Sequence, residues 1–217
     1  MEFNRTKINT VKQAPKRAFY DKETIYPIVD EALICHVGFS IESQPFIIPT
    51  IHARRDDTIY LHGSTKSRLI NHIESGNTVC ISVALLDGLV LARSVFHHSM
   101  NYRSAVLFGK GKLVGRKEKL EALELITEKL FPGRWNDARP PNGKELKGTA
   151  IVAIDIENAS AKIRTGGPND NPEDYDLDYW AGVIPIKQIM LEPIPDEKLK
   201  AGIELPRYIE HFFRGLC

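Results

Sequence analysis

The segment 60–68, with the sequence YLHGSTKSR, combines residue types that bind phosphate groups. A strand-like run leads here into a helical pattern, with Gly63 at the junction and Ser64 as the predicted cap. The first amides of a helix have no partner inside the helix and lie at the positive end of its dipole, so they attract anions. Ser67 adds a hydroxyl donor, and Arg68 can bind a phosphate through two parallel hydrogen bonds. The segment therefore predicts a phosphate site, although an ordinary capped helix with solvated cations fits the same residues.

Two arginines flank a turn predicted farther along the chain. If the chain folds back about Ser99, Arg93 and Arg103 project from one face of the paired strands as diagonal neighbours. Two like charges at that spacing disfavour the pairing unless an anion lies close to them. An anionic ligand or an acidic segment of the chain would remove the conflict, and two solvated surface arginines are the alternative.

His97 and His98 lie in the same predicted loop and are the candidates for acid–base chemistry. Adjacent histidines point in different directions and no carboxylate or cysteine completes a ligand set, so no metal site is predicted. The Walker P-loop, GxSxG, HExxH and EF-hand patterns are missing. Gly109 and Gly111 lie inside a predicted strand, where a dinucleotide-binding fingerprint cannot function.

Trp180 stands next to Ala181-Gly182, so a large flat ring lies beside backbone that another surface can approach closely. Such a ring suits a ligand ring or a subunit contact, and core packing is the common alternative.

The elements that must position these residues are short β-branched or aromatic runs separated by turn residues, a pattern typical of an antiparallel meander. Strands are predicted at 33–40, 45–54, 58–62, 78–86, 89–96, 102–114, 149–156, 160–164 and 180–185. Helices are predicted after the cap residue Asp21, over 64–75, over 117–130 and near Ile209, with a hairpin turn at Asp87-Gly88 and a solvated acidic loop at 166–178. The fold class is therefore mainly β, one closed antiparallel barrel with helices packed outside it.

Composition restricts the partners and the location. The 217 residues show no repeat or linker, which predicts a single domain over 20–217, and the polar, basic N-terminus predicts a flexible arm over 1–19. With 29 basic and 28 acidic residues the net charge is +1, which argues against non-specific binding to nucleic acid or to an anionic membrane. There is no run apolar enough for a membrane span or a signal peptide, and three cysteines without a CxxC pair indicate reduced thiols. A cytoplasmic protein is expected.

Several stretches, taken in order over roughly residues 20–190, resemble the pyridoxamine 5'-phosphate oxidase-like split-barrel proteins, and within them the flavin-nucleotide-binding branch that includes nitroimidazole-resistance proteins. The matching stretches are Pro49-Thr50, Thr58–Ser64 with Ser67-Arg68, Asp87–Ser94, Phe96–Ser104, Pro132–Trp135, Ser160–Gly166 and Trp180–Pro185. Each motif is weak alone, whereas the ordered set is specific.

The resemblance implies a split-barrel homodimer with two FMN sites at the subunit interface, each built from both chains. By motif position, the phosphate and ribityl chain would be held by His62, Gly63, Ser64, Ser67 and Arg68. The flavin edge would lie along Pro49, Thr50 and Ile51. Other pocket residues would be Tyr102, Arg103, Ser104, Lys162 and Arg164, and the partner subunit would contribute its Trp180.

The chain departs from true pyridoxamine 5'-phosphate oxidases at their C-terminal arginine- and histidine-containing substrate segment, which has no good counterpart around 206–208. Vitamin B6 oxidation is therefore not the expected reaction. The expected function is that of an FMN-dependent oxidoreductase acting on a small molecule, in which the flavin transfers the electrons and the protein positions it. The alternative is a flavin- or haem-binding carrier or sensor of the same fold.

Overall fold

The computed structural model describes residues 1–213, and Cys217 lies outside the described residues. Within this range eight strands form one antiparallel sheet. They are β1 (Ala18–Phe19), β2 (Ile34–Ile41), β3 (Gln44–Arg55), β4 (Thr58–Ser64), β5 (Thr78–Leu91), β6 (Ser99–Leu113), β7 (Thr149–Arg164) and β8 (Gly182–Pro185). The order β7-β4-β3-β2-β5-β6 closes through a β6–β7 pairing, so these six strands make a barrel. The short strands β1 and β8 extend it by pairing with β7 and β5. The predicted antiparallel barrel is confirmed.

Five α-helices flank the barrel in the described part of the chain: α1 (Lys22–Glu31), α2 (Arg68–Glu74), α3 (Arg116–Leu130), α4 (Gly143–Gly148) and α5 (Arg207–Phe213). The Asp21 carboxylate caps α1 as predicted, because it accepts a 2.7 Å hydrogen bond from the Thr24 amide. Ile25, Ile28 and Val29 of α1 are buried against the barrel. None of the helices in residues 1–213 has the length and apolar character needed to cross a bilayer.

Two apolar cores hold these layers together. The barrel interior is filled by aliphatic side chains that alternate along the strands, such as Ile59 and Leu61 of β4, which are at most 1% exposed. On the outer face of the same strands, Tyr60 and Ile151 pack against Ala122 and Ile126 of α3. The β4 strand is thus buried on both faces until it reaches its last residues, where the candidate site begins.

The predicted hairpin at Asp87-Gly88 is wrong, because β5 continues through it with a bulge between Leu86 and Gly88. The reason is that β6 and β8 pair with β5 on both of its sides at this point. A Cβ on Gly88 would lie 3.0 Å from the carbonyl oxygen of Ile184 in β8, so glycine allows the close approach of that strand.

The two strands predicted over 149–164 form the single strand β7. Its register with β6 shifts between Phe108 and Gly109, where Glu157 is left between the partners Asn158 and Ile156. A bulge of this kind bends a strand without ending it, which explains why the alternation in the sequence breaks there.

The segment 1–19, predicted to be a flexible arm, lies against the barrel. Phe3 belongs to the main core, and the Asn9 side chain donates to the Ala159 carbonyl at 3.2 Å. The segment ends in β1, where Ala18 pairs with Lys162.

A buried histidine and a half-buried lysine connect α3 to the end of α1. His52 is fully buried, and its Nε2 lies 2.8 Å from the Val29 carbonyl and 3.0 Å from the Lys129 ammonium. That ammonium also donates to the Ala32 carbonyl at 2.8 Å, so it caps the C-terminus of α1. Burial, reinforced by the neighbouring ammonium, lowers the pKa of His52 to about 4.

This environment predicts a loss of stability in mild acid. Between the unfolded pKa of about 6.5 and the folded pKa of about 4, the unfolded chain binds a proton that the folded chain does not, so stability falls as the pH falls through that window. We expect the free energy of unfolding to drop by up to about 3 kcal/mol between pH 7 and pH 4 from this residue. Urea titrations at each pH would measure it. His52→Gln should flatten the slope, and His36→Gln, at an exposed position, should leave it as steep; a slope unchanged in His52→Gln would exclude His52 as its source.

Candidate functional site

The turn between β4 and α2, residues 64–68, is where the sequence predicts a phosphate site. The cap prediction for Ser64 is wrong: Ser64 still belongs to β4, paired with Thr149, and α2 begins at Arg68 with Ser67 as its N-cap. The amides of Thr65, Lys66 and Ser67 donate to Gly148 O, Ser64 Oγ and Ser64 O at 3.3, 3.2 and 2.9 Å. The Ser67 hydroxyl makes no capping bond. The amides of the turn are therefore used internally, and the Ser67 hydroxyl and the first amides of α2 are the groups it offers to an anion.

Gly63 has a packing role at this turn. A Cβ there would lie 3.2 Å from Cγ1 of Ile70 and 3.8 Å from Cβ of Ser67, so α2 rests directly on the strand. The absence of a side chain at Gly63 brings the start of α2 close to β4, which positions Ser67 and Arg68.

Arg68 is exposed, and its guanidinium lies 4.4 Å from the centroid of the Phe46 ring. It forms no salt bridge with any carboxylate in the described part of the chain. A guanidinium resting on a ring keeps its N–H edges available, and a charge without a carboxylate partner favours an anionic ligand.

The residues predicted along the flavin edge lie on the neighbouring strand β3. Pro49 pairs with His36 and is exposed, while Thr50 and Ile51 are half-buried. Since His52 pairs with Leu61, Ile51 lies next to His62, which is exposed at the end of β4. The structure therefore brings Pro49–Ile51 and the β4–α2 turn to one side of the barrel.

The remaining predicted residues form a second group, the strand cluster, on β6 and β7. Tyr102 pairs with Arg164, and Ser104 pairs with Lys162, whose carbonyl accepts a 3.2 Å hydrogen bond from the Ser104 hydroxyl. Arg103, between them, donates to Glu31 and Asp87, with Nη2–oxygen distances of 2.8 Å to each, and this raises the pKa of Arg103. Two carboxylates therefore neutralise Arg103.

The prediction that Arg93 and Arg103 are diagonal neighbours on paired strands is wrong, because Arg103 pairs with Leu85 and β5 ends before Arg93. Carboxylates of the chain neutralise both arginines. An acidic segment was one of the two solutions that the sequence allowed. Arg93 binds the buried carboxylate of Asp170, which also accepts bonds from the Arg93 and Ser94 amides at 3.0 and 3.3 Å. The loop 166–178 was predicted to be solvated throughout, and Asp170 is the exception because it anchors the loop to the turn after β5.

Arg164 is 7% exposed and is surrounded by neutral acceptors. Its guanidinium donates to the side-chain oxygen of Asn101 and to the carbonyls of Gly166 and Gly167, the latter at 3.0 Å. Burial, with the nearby charge of Arg17, lowers the pKa of Arg164. No carboxylate among residues 1–213 forms a salt bridge with it, so its positive charge is available to attract an anion.

The two groups of predicted residues are far apart in one chain. Gly63 pairs with Ala150 at the start of β7, and Ser104 pairs with Lys162 near its end. Those partners are twelve positions apart, at most about 40 Å along β7 at ~3.3 Å per residue, since the bulge at Glu157 bends the strand. One copy of the chain therefore does not bring the β4–α2 turn and the strand cluster to a common ligand.

Trp180 is 66% exposed, so the core alternative for this residue is wrong. It stands just before β8, and Gly182 pairs with Leu91, which puts the indole near the turn that follows β5. Val95 and Phe96 in that turn are 84% and 86% exposed. Exposed apolar side chains that form one patch are typical of an interaction surface.

The imidazole ring of His98 is held in place by the backbone of Ala92, because its Nδ1 accepts a 3.0 Å hydrogen bond from the Ala92 amide. With Nδ1 acting as an acceptor, the neutral ring has its proton on Nε2. This tautomer suits a proton donor and does not suit a metal ligand through Nε2. His97 ends the short helical turn Val95–His97 and packs edge-on against Phe96.

Sequence reasoning missed two features near the turn. His72 of α2 lines a groove of about 490 Å³ together with Phe39, Phe46 and Phe108, and its Nε2 is buried without a hydrogen-bond partner in the described structure. A cationic cavity also lies beside α3 and α4. The basic runs around 110–119 and 144–147 were the available signal for that cavity, but only the fold shows that they meet.

The family model described as pyridoxamine 5'-phosphate oxidase matches residues 21–163, more than half of the chain. The chain belongs to this family. The mainly antiparallel barrel with flanking helices is the fold of the pyridoxamine 5'-phosphate oxidase family, as the motifs implied.

Three solved structures similar to this member of the pyridoxamine 5'-phosphate oxidase family differ in the extent of the likeness. The flavocytochrome Anf3 from Azotobacter vinelandii is 38% identical with a TM-score of 0.89, covering 95% of this chain and 97% of that chain. The FAD and haem binding protein from Mycobacterium smegmatis is 31% identical with a TM-score of 0.87, covering 91% and 97%. A protein from Bacteroides thetaiotaomicron VPI-5482, provisionally assigned to 5-nitroimidazole antibiotic resistance, is 25% identical with a TM-score of 0.57, covering 67% and 86%. No curated protein matches the chain significantly.

Proposed function

We propose that this protein is a flavin-dependent redox protein that binds FAD and haem and works as a homodimer. The observation that carries the proposal is the likeness over nearly the whole chain to two proteins, one named a flavocytochrome and the other an FAD- and haem-binding protein. The motifs alone implied FMN, which has the same flavin ring and first phosphate. The likeness favours the dinucleotide.

The flavin site would use the groups left available around the β4–α2 turn. Arg68, the Ser67 hydroxyl and the first amides of α2 would bind the phosphate, and Pro49–Ile51 would lie along the ring. When bound, flavin supplies hydride and electron transfer, and the protein positions it and excludes water. The Nε2–H of His98 would donate a proton to a substrate held against the ring.

A second copy of the chain would complete each site. The separation of up to about 40 Å along β7 between the turn and the strand cluster supports this, because a dimer can bring one group from each copy to a shared ligand. The exposed Trp180, Val95 and Phe96 support it as well, since a partner would cover them. Arg164, with no carboxylate partner in the described chain, would add positive charge to the completed site.

His72 is the residue whose surroundings fit haem. Its buried Nε2 has no hydrogen-bond partner, its ring centroid lies 4.9 Å from that of Phe39, and the groove beside it is lined by Phe46 and Phe108. An imidazole next to apolar aromatic walls is a donor set that suits haem iron. The haem would supply one-electron transfer, and His72 would hold it.

His72→Ala is expected to weaken haem binding at least tenfold and to remove the sharp Soret band of a histidine-bound haem in a haemin titration. The matched control is His98→Ala, because the Nε2 of His98 is protonated and should not bind iron. Retained flavin binding in His72→Ala would show that the variant is folded. An unchanged Soret band would exclude His72 as the ligand.

The redox function is tested by loading the protein with FAD and haem, photoreducing the flavin under nitrogen with EDTA as the electron donor, and following the haem bands. Reduction of the haem as the flavin bleaches is the expected result. Bleaching of the flavin with no change in the haem would contradict electron transfer between them and would favour a carrier of two independent ligands.

A further inference from the structure

A cationic cavity of about 330 Å³ opens between the start of α3 and α4. Three basic side chains line it and no acidic one does. The lining residues are Val114, Arg116, Lys119, Gly143, Leu146 and Lys147.

The three cations have no salt bridge to any carboxylate in residues 1–213. The acidic residues closest in sequence to the three cations are engaged elsewhere, because Glu118 accepts from Tyr60 and Glu145 pairs with Arg139. Unneutralised charge is therefore concentrated here in a chain whose net charge is only +1. Such a cavity favours an anion.

The cavity adjoins the β4–α2 turn. The Thr65 amide donates to the Gly148 carbonyl at 3.3 Å, and Gly148 follows Lys147 of the cavity. The Lys119 ammonium donates to the Thr149 carbonyl at 2.8 Å, and Thr149 pairs with Ser64. Since a carbonyl oxygen lies about 2.4 Å from the Cα of its residue and consecutive Cα atoms are about 3.8 Å apart, the Cα of Lys147 lies within about 10 Å of the Thr65 amide. One ligand with two linked phosphates can therefore reach both.

We propose that this cavity binds the second phosphate of FAD while the β4–α2 turn binds the first, so that Arg116 and Lys147 select FAD over FMN. The inference rests on the proposed flavin function. Lys119 links α3 to α4 through its bonds to the Leu146 and Thr149 carbonyls. The exposed cations Arg116 and Lys147 contact the second phosphate, which FMN lacks. FMN has only the first phosphate, so Arg116 and Lys147 do not add to its affinity.

The test is the double variant Arg116→Gln/Lys147→Gln, with Lys198→Gln/Lys200→Gln as a control that removes two exposed charges elsewhere. FAD and FMN are titrated separately into flavin-free protein, and binding is followed by the quenching of flavin fluorescence. The cavity variant is expected to lose about tenfold or more in FAD affinity and to bind FMN within about twofold of the wild type. The control should bind both flavins as the wild type does.

Equal losses for the two flavins, or no loss for FAD, would overturn the assignment of the cavity while leaving the flavin function intact. Wild-type protein that binds neither flavin would overturn the proposed function and this inference together. A thermal unfolding curve of the cavity variant that matches the wild type establishes that any loss arises at the ligand.

Discussion

Arg68→Ala is expected to weaken flavin binding by about ten- to a hundredfold, because a hydrogen bond to a charged phosphate contributes roughly 1.5–3 kcal/mol. The guanidinium rests on the Phe46 ring and has no carboxylate partner in residues 1–213, so its removal leaves no acid unpaired. The fold should therefore survive the change. Fluorescence titration with FMN and FAD measures the effect, and both flavins should lose affinity because both contain the first phosphate.

The matched control for Arg68 is Arg134→Ala. Arg134 is an exposed arginine paired with Asp137, outside the strands of the barrel. Its variant should bind flavin as the wild type does. If Arg68→Ala folds and binds both flavins with unchanged affinity, the phosphate is held elsewhere.

Gly109→Ala is expected to destabilise the barrel by about 3 kcal/mol or more, the upper part of the range for overpacking. A Cβ on Gly109 would lie 1.9 Å from the carbonyl oxygen of Asp155 and 3.0 Å from its carbonyl carbon. The clash is with the backbone of β7 beside the bulge at Glu157, so no side-chain rotation relieves it. At roughly 2–4 °C per kcal/mol for a chain of this size, the midpoint of thermal unfolding should fall by about 10 °C.

Gly148→Ala is the control for Gly109, since a Cβ there meets nothing within 4 Å. Circular dichroism on heating compares the two. Failure of Gly109→Ala to fold agrees with the prediction, whereas a midpoint within about 2 °C of the wild type would show that β7 can move aside at no cost.

The sequence was sufficient for the barrel because its signals are local. Alternating apolar residues predicted most of the strands, and Asp21 predicted the start of α1 through its bond to the Thr24 amide. The prediction of a hairpin at Asp87-Gly88 was wrong because the same dipeptide also fits a β-bulge, which forms here since strands pair with β5 on both sides. The choice between a turn and a bulge depends on tertiary neighbours, which periodicity does not contain.

The site was predictable in part for the same reason. The motif around Ser67 and Arg68 is contiguous and was found, although the helix starts four residues later than predicted because β4 stays paired with β7 as far as Ser64. The cationic cavity joins residues from 114–119 and 143–147, and the carboxylate partners of Arg93 and Arg103 come from distant segments. Contacts between segments distant in sequence appear only once the barrel has closed.

The absorbance spectrum of the purified protein, followed by heat release and identification of the bound compound, tests the central claim. We predict the visible absorbance bands of an oxidised flavin, and FAD as the released compound. A folded protein that is colourless as purified and leaves the fluorescence of added FAD and FMN unchanged would contradict the account.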